Sequence, residues 1–337
     1  TGNWMMSSPS VDGYPHLQWE NVTPLFIAPA AGDGSPGNPY QIASLENLYW
    51  IAVSDNDVAV PDQETRWTYS YIQTADIDAS STQNMSGGWS PIGNFDFDLP
   101  YTPFTGTYNG NNHSIDGIIL NDPVRLTFLG LFGCLSGAQV SDLNLTGVMI
   151  PNGAWAGGLA GICINESAID NCSAQGNVSG ETAIGMLIGE GWFSTINRCH
   201  TSGTVNLPFD EQHGGGLVGF CEDMTISNSY SECSITGIGV QVGGLVGTFT
   251  TNNTDAVMNN CYATGSVSGS YDVGGLAGYL RALAQISKCY STGSVSGDET
   301  CGGFAGSNWG CYVDNCYSTG SVTGNDDIGG FLGENNL

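Results

Sequence analysis

Cys261-Tyr-Ala-Thr-Gly-Ser-Val-Ser-Gly269 returns as Cys289-Tyr-Ser-Thr-Gly-Ser-Val-Ser-Gly297 and again as Cys316-Tyr-Ser-Thr-Gly-Ser-Val-Thr-Gly324. Each copy is followed by a glycine pair and an apolar residue: Gly274-Gly275-Leu276, Gly302-Gly303-Phe304 and Gly329-Gly330-Phe331. The apolar residue of that glycine phrase can be followed back through worn copies at Leu131, Leu159, Leu187, Leu217 and Leu245, in steps of 28, 28, 30, 28, 31, 28 and 27 residues up to Phe331. The cysteine position keeps step through Cys172, Cys199, Ser229, Cys261, Cys289 and Cys316, with Leu143 one copy earlier. A fixed period of this size is the signature of a stacked repeat.

Three columns stay apolar within a copy. One lies three residues before the cysteine slot (Ile169, Ile196, Ile226, Met258, Ile286, Val313), one is the slot itself, and one lies six after it (Val178, Val205, Ile235, Val267, Val295, Val322). Between slot and valine the odd offsets carry Ser, Thr and Tyr, the alternation of a strand buried on one side. A unit of short strands and glycine corners cannot bury its own apolar side, whereas stacked coils can. The expected fold is therefore all-β: a parallel β-helix, or β-solenoid, with coils of about 28 residues. Each column becomes a line of like residues about 4.8 Å apart, and Asn171, Asn228, Asn260 and Asn315 fall at one bend.

Composition agrees. Fifty glycines, 40% apolar residues and 11% charged ones suit a packed β protein with glycine corners. Five basic residues against 32 acidic ones give a net charge of −27, which excludes nucleic acid and anionic membrane as natural partners and would at most collect Ca²⁺ weakly. No resident cofactor is expected. No apolar run is long enough to span a bilayer.

Eleven cysteines without a CxxC pair predict an oxidising, extracellular setting and a disulfide framework drawn from Cys134, Cys163, Cys172, Cys199, Cys221, Cys233, Cys261, Cys289, Cys301, Cys311 and Cys316. The count is odd, so one thiol has no intramolecular partner, and the pairing is not fixed by sequence. Asn-x-Ser/Thr sequons stand at Asn84, Asn112, Asn144, Asn165, Asn171, Asn177 and Asn252.

In chain order, residues 1–29 form an aromatic N-terminal extension, 30–130 the opening coils and 131–337 the repeat region of the same solenoid. Gln41 to Ile51 is the one stretch read as a short helix. The order Tyr71-Ile-Gln-Thr-Ala-Asp-Ile-Asp78, Trp89-Ser-Pro-Ile-Gly93, Phe104-Thr-Gly-Thr-Tyr-Asn-Gly110, Ile115-Asp-Gly-Ile-Ile119 and Gly130-Leu-Phe-Gly133 resembles the opening coils of the GLUG-repeat proteins of bacterial and archaeal surfaces, which also occur in the non-catalytic region of IgA-cleaving metalloproteases. The resemblance runs from Gly34 to the C-terminus. It implies a right-handed parallel β-helix on an exported protein and implies no activity, since the peptidase's His-Glu-x-x-His is absent from this sequence.

Enzymatic function is not expected. A lyase acting on anionic sugar needs clustered cations, and the carboxylate pairs Asp76/Asp78 and Asp96/Asp98 share a strand face without forming a cleft. His16, His113, His200 and His213 are far apart in the sequence. The expected role is a structural subunit of an extracellular polymer, such as a filament, sheath or surface layer, with a glycan-binding adhesin stalk as the alternative. Copies of the chain itself are the expected partners. Candidate interface residues are the outward tyrosines Tyr230, Tyr262, Tyr290 and Tyr317, the final apolar layer Phe304, Val322, Phe331 and Leu332, and the N-terminal Trp4, Tyr14, Leu17 and Trp19. These last are expected to close the open end of a neighbouring subunit head to tail.

Overall fold

The computed structural model describes residues 25–53, 61–85, 88–95, 101–121, 128–210, 212–252 and 256–336, together with the backbone of 4–5 and 16–17. It is a parallel β-solenoid of about ten turns. Sheet 1 takes one strand from each of ten coils, from Tyr40–Ile42 through Ser70–Gln73 to Tyr312–Asp314. Its register carries one column without a slip from Tyr71 and Tyr108 through Val140, Ile169, Ile196, Ile226, Met258 and Ile286 to Val313. The expected isoleucine column is thus a physical line of side chains, all buried except the half-buried Val313.

The chain then turns a corner at the slot before the cysteine column. Asn171, Asn228, Asn260 and Asn315 sit there with φ of 51°, 50°, 56° and 53°, and Asp142, Arg198 and Lys288 adopt the same left-handed backbone in the coils between. Asparagine and aspartate tolerate that conformation better than other residues with a side chain. Neighbouring coils are tied through them, for example by Asn260 Nδ2 donating to Asn228 Oδ1 at 2.8 Å and Asn171 Nδ2 donating to Asp142 Oδ1 at 2.7 Å.

Sheet 2 follows the corner as short strands, in one coil Tyr262–Ala263, Val267–Ser268 and Tyr271–Gly274. Val267 is buried and Ser266 exposed, which is the alternation read from the sequence. The glycine pair turns the chain into sheet 3, eight parallel strands from Phe132–Ser136 to Leu332–Asn336. The first glycine of each pair has no room for a side chain: a Cβ would come within 1.9 Å of Val218 O at Gly215, 2.0 Å of Val246 O at Gly243 and 1.8 Å of Ala305 O at Gly302. The second position is looser in one coil, where Met186 occupies it.

Near the N-terminal end a helix, α1 (Leu45–Ala52), begins at Ser44, whose hydroxyl accepts from Asn47 N, and buries Leu48, Trp50 and Ile51. Arg66 is wholly buried beside it, donating to Pro61 O and Val53 O with its guanidinium 5.5 Å from the Trp50 ring. Trp4–Met5 and His16–Leu17 pair antiparallel. The side chains of Trp4, Tyr14, Leu17 and Trp19 lie outside the described residues, so their expected role as a clasp does too. No helix among the described residues is long and apolar enough to cross a membrane.

Candidate functional site

The cysteines depart from expectation. All eleven are free thiols, ten of them buried and Cys316 half-buried. In the slot column the local hydrogen bonding explains why. Each thiol donates back to the carbonyl two residues earlier, as in Cys199 to Asn197 O (3.3 Å), Cys261 to Asn259 O (3.3 Å) and Cys289 to Ser287 O (3.1 Å). Sulfur also receives a backbone N–H from the coil before, Cys172 N to Cys199 Sγ and Cys289 N to Cys316 Sγ, both at 3.4 Å. Ser229 does the same two jobs with its hydroxyl, donating to Ser227 O at 2.7 Å and accepting from Cys199 N at 3.0 Å. The column thus selects a small donor and acceptor that braces the corner. Parallel neighbours about 4.8 Å apart also keep their Cβ atoms wider than the mean of about 3.8 Å in a disulfide.

The tyrosine column is a ladder on the outside of sheet 2. Successive ring centroids are 4.6, 4.8 and 5.0 Å apart for Tyr230–Tyr262, Tyr262–Tyr290 and Tyr290–Tyr317, with planes within 7° of parallel. His200 extends it by one ring, 5.1 Å from Tyr230. Face-to-face stacking leaves only ring edges for a visitor along most of the ladder. At the C-terminal end of the described chain Phe304 is buried against Phe331, with centroids 4.7 Å apart, while Val322, Phe331 and Leu332 are half-buried.

A third feature, the outward side of sheet 3, had no counterpart in the repeat pattern. Two adjacent columns point outward there. One runs Cys134, Ile162, Glu190, Phe220, Thr248, Tyr279, Ser307 and Glu334. The other runs Ser136, Ile164, Trp192, Glu222 and Thr250, and continues at Arg281, Trp309 and Asn336. Over the first coils Cys134, Ile162 and Ile164 are apolar, with Ser136 the polar exception, and lie under an outer aromatic cluster in which Phe95 meets Tyr101, Phe128 and Trp192 at 4.9, 5.0 and 6.1 Å. Beyond Trp192 the columns become mixed polar and aromatic.

Beside them, a third outward column at the end of sheet 2 supplies His213, Gln241, Asp272 and Thr300, and a polar chain joins the two sheets. His213 Nδ1 lies 3.0 Å from Thr248 Oγ1, Thr248 donates to Gln241 Oε1 at 2.7 Å, and Ser307 donates to Asp272 Oδ1. Burial pushes the Asp272 carboxyl up to about 6, opposed by the Ser307 bond, and pushes Glu190 up to about 7, opposed by the Trp192 indole N–H at 3.0 Å. Burial lowers His213. The register sets residues about 27 to 31 apart beside one another with no letter shared between neighbours, so repetition could not reveal them.

The remaining candidates are not brought together. Asp76 accepts from Ser114 N at 2.8 Å and lies 3.2 Å from His113 Nδ1, while Asp78, at the end of the strand Ile77–Asp78, accepts from Ser80 N at 2.9 Å, and both carboxylates are exposed. Asp96 and Asp98 lie outside the described residues. His113, His200 and His213 belong to separate features. Among the described residues no three His, Cys, Asp or Glu side chains gather in a way that could hold a metal ion.

The GLUG motif matches residues 269–296 and 298–323. The chain is 32% identical over 164 residues to halomucin of Haloquadratum walsbyi, a match covering 47% of this chain and 2% of that protein. It is 29% identical over 224 residues to an immunoglobulin A1 protease of Streptococcus sanguinis, covering 63% of this chain and 11% of the relative. A Streptococcus pneumoniae immunoglobulin A1 protease is 31% identical over 162 residues, covering 44% and 8%. The matched stretches are thus a small part of these relatives. In structure the chain is similar to a putative immunoglobulin A1 protease from Bacteroides ovatus, with a TM-score of 0.56 and 18% identity over 87% of this chain and 79% of the other. A structure titled IgA1 Protease gives a TM-score of 0.50 at 19% identity, covering 86% of this chain and 20% of that one. At such identities the structural likeness is one of fold. GLUG motifs carried on a parallel β-solenoid are what the resemblance in the sequence implied.

Proposed function

We propose that this GLUG-bearing solenoid is a structural subunit of an extracellular assembly, a filament, sheath or surface layer, that works by stacking rather than by chemistry. The carrying observation is where the outer side chains go. On sheet 2 and at the asparagine corner they bond or stack onto their own counterparts one coil away, as in the run from His200 to Tyr317 and the link from Asn260 to Asn228. Such ladders stiffen a rod and leave few groups poised toward a substrate. Parallel coils also present the same kind of strand edge to each successive neighbour, so a rod of this type extends by edge addition. An extracellular setting is supported by the relatives' names, since an immunoglobulin A1 protease meets its immunoglobulin outside the cell.

The test is negative-stain microscopy and light scattering of the purified chain across ionic strength. Salt shortens the range of repulsion between chains of charge −27, the Debye length falling to about 3 Å at 1 M. Fibres or sheets that grow with salt are expected. Particles that remain single rods at every salt concentration would sink the subunit reading. A second reading, a glycan-binding stalk, is favoured by one observation, the mixed aromatic and polar columns outside sheet 3.

A further inference from the structure

We propose that the outward side of sheet 3 between Trp192 and Trp309 binds a neutral, extended oligosaccharide lying along the solenoid axis. This assigns a site to the glycan-binding reading and rests on it, while standing apart from the assembly reading.

The rings carry the first part of the argument. Trp192 and Phe220 come from consecutive coils, the next coil contributes Thr250, and Tyr279 and Trp309 come from the two after it. Trp192, Phe220 and Tyr279 are half-buried and Trp309 is 47% exposed. Unlike the rings of the tyrosine ladder, these do not stack face to face: Tyr279 and Trp309 are 6.4 Å apart and tilted 54°, Phe220 meets His213 edge-on at 72°, and Trp192, at the border of the outer aromatic cluster, meets Phe95 edge-on at 86°. A pyranose needs a free ring face for its apolar C–H side and polar groups at the ring's edge for its hydroxyls. Four coil steps from Trp192 to Trp309 span about 19 Å at a strand spacing of about 4.8 Å, the length of a short oligosaccharide.

Polar groups alternate with the rings. Glu222 follows Trp192 in its column and Arg281 precedes Trp309, offering an acceptor and a donor of opposite charge. Beneath them the bonds from Thr248 to Gln241 and from Ser307 to Asp272 fix neighbouring side chains in advance, which lowers the ordering cost of binding.

Charge and backbone select among occupants. A net charge of −27 repels polyanionic sugars. A peptide gains most of its affinity for a sheet by adding a strand to a free edge, yet the strands from Ile188–Trp192 to Ala305–Trp309 are each paired on both sides. Lower on this same face, where the chain's own aromatic cluster covers it, the outward residues are the apolar Cys134, Ile162 and Ile164. The switch to interleaved rings and polar groups beyond Trp192 marks a surface meant for an amphipathic, hydrated visitor.

The experiment is titration of the full chain with cellohexaose, xylohexaose, mannohexaose, maltohexaose and chitohexaose, with polygalacturonate as the polyanion, followed by calorimetry and tryptophan fluorescence. At least one neutral hexaose is expected to bind in the sub-millimolar range. Trp309→Ala and Tyr279→Ala should each weaken that binding about tenfold without moving the melting temperature, and the exposed Arg281→Ala gives a further variant that leaves the core untouched. Tyr262→Ala, in the ladder, should bind as the parent does. Binding that survives the strip variants and is lost in Tyr317→Ala would keep the glycan reading and overturn this site. Binding to polygalacturonate alone would overturn the site, and no binding to any sugar would overturn both.

Discussion

The carbonyl oxygen of Ala277 stands 1.8 Å from where a Cβ on Gly274 would lie. That contact explains why the first glycine of the phrase persists at Gly157, Gly185, Gly215, Gly243, Gly274, Gly302 and Gly329, whereas the second gives way to Met186. The chain folds back so sharply between sheets 2 and 3 that the backbone three residues on occupies the side-chain position.

Gly274→Ala should therefore cost about 3 kcal/mol or more, the range reached when backbone must move to admit an atom. Chemical denaturation of the variant checks this. A loss below about 1 kcal/mol would mean that the corner is soft.

Val267 is 2% exposed and pairs in register with Ile235 and Val295. Val267→Asp places an unpaired charge in the core and should cost several kcal/mol, whereas Ser266→Asp, at an exposed position, should stay within about 0.5 kcal/mol. Equal melting temperatures for the two variants would show that the side-chain alternation is misassigned.

Thr300 is buried, β-branched and held at φ 53°. A threonine in that region carries strain of order 1 kcal/mol or more. Thr300→Gly should offset its lost packing and raise or preserve the melting temperature. Thr300→Val, which keeps the branch and removes the hydroxyl, should lower it. A marked loss for the glycine variant would indicate an unstrained corner.

Titration of denatured, unreduced protein should find eleven thiols. Native protein should react slowly, because burial holds thiols such as Cys163 and Cys301 up at about 11, well above the range in which thiolate forms readily. Cys261→Ser should be nearly neutral, since Ser229 already fills the slot one coil earlier. Fewer than eleven thiols would restore the disulfide reading of the sequence.

Glu190 at about 7 and Asp272 at about 6 both lie above ordinary carboxyl values, chiefly through burial, with Glu222 and Glu334 adding to the rise. The folded chain thus keeps protons that the unfolded chain releases between about pH 4 and 7. Their contribution is complete below about pH 4 and is lost as pH climbs through 6 and 7. The exposed Asp33, Asp62, Asp76 and Asp78 are lowered by bonds from Ser35, Thr65, Ser114 and Ser80. They act in the opposite sense, at the acid end. His213, lowered by burial, acts the other way in this window, but the two raised carboxyls outweigh it, so the melting temperature should rise from pH 7.5 to pH 5, and Glu190→Gln with Asp272→Asn should remove or reverse the rise. A parent profile already flat over that range would refute the assignment.

The coil path was legible because inward positions face near copies of themselves, so Ile196 on Ile226 and Val267 on Val295 repeat as letters. Of the stretch Gln41 to Ile51 read as a helix, the part from Leu45 forms one, Leu45–Ala52, while Gln41 and Ile42 belong to the strand Tyr40–Ile42 and the short helix Gln63–Arg66 went unread. The cysteines misled because the same inward, repeated position suits a disulfide or a small hydrogen-bonding brace, and only the bonds of Ser229 separate the two. The outward strip was illegible because solvent-facing positions need not repeat, so Phe220, Thr248 and Tyr279 share a column without sharing a letter.

In genetic terms, the matched columns make each coil a module that ends as it begins. A duplication of one period inserts a layer whose every neighbour already fits, as the near identity of the phrases at Cys261, Cys289 and Cys316 illustrates. A shift that is not a whole period breaks the column unless it falls between strands, and the extra residues behind the steps of 30 and 31 fall between the strands His200–Leu207 and His213–Gly215 and between Val246–Thr250 and Val257–Asn259. Recombination between copies can therefore lengthen or shorten the rod by whole layers of about 4.8 Å while leaving the surrounding contacts unchanged, so length is the trait that this architecture lets vary most freely.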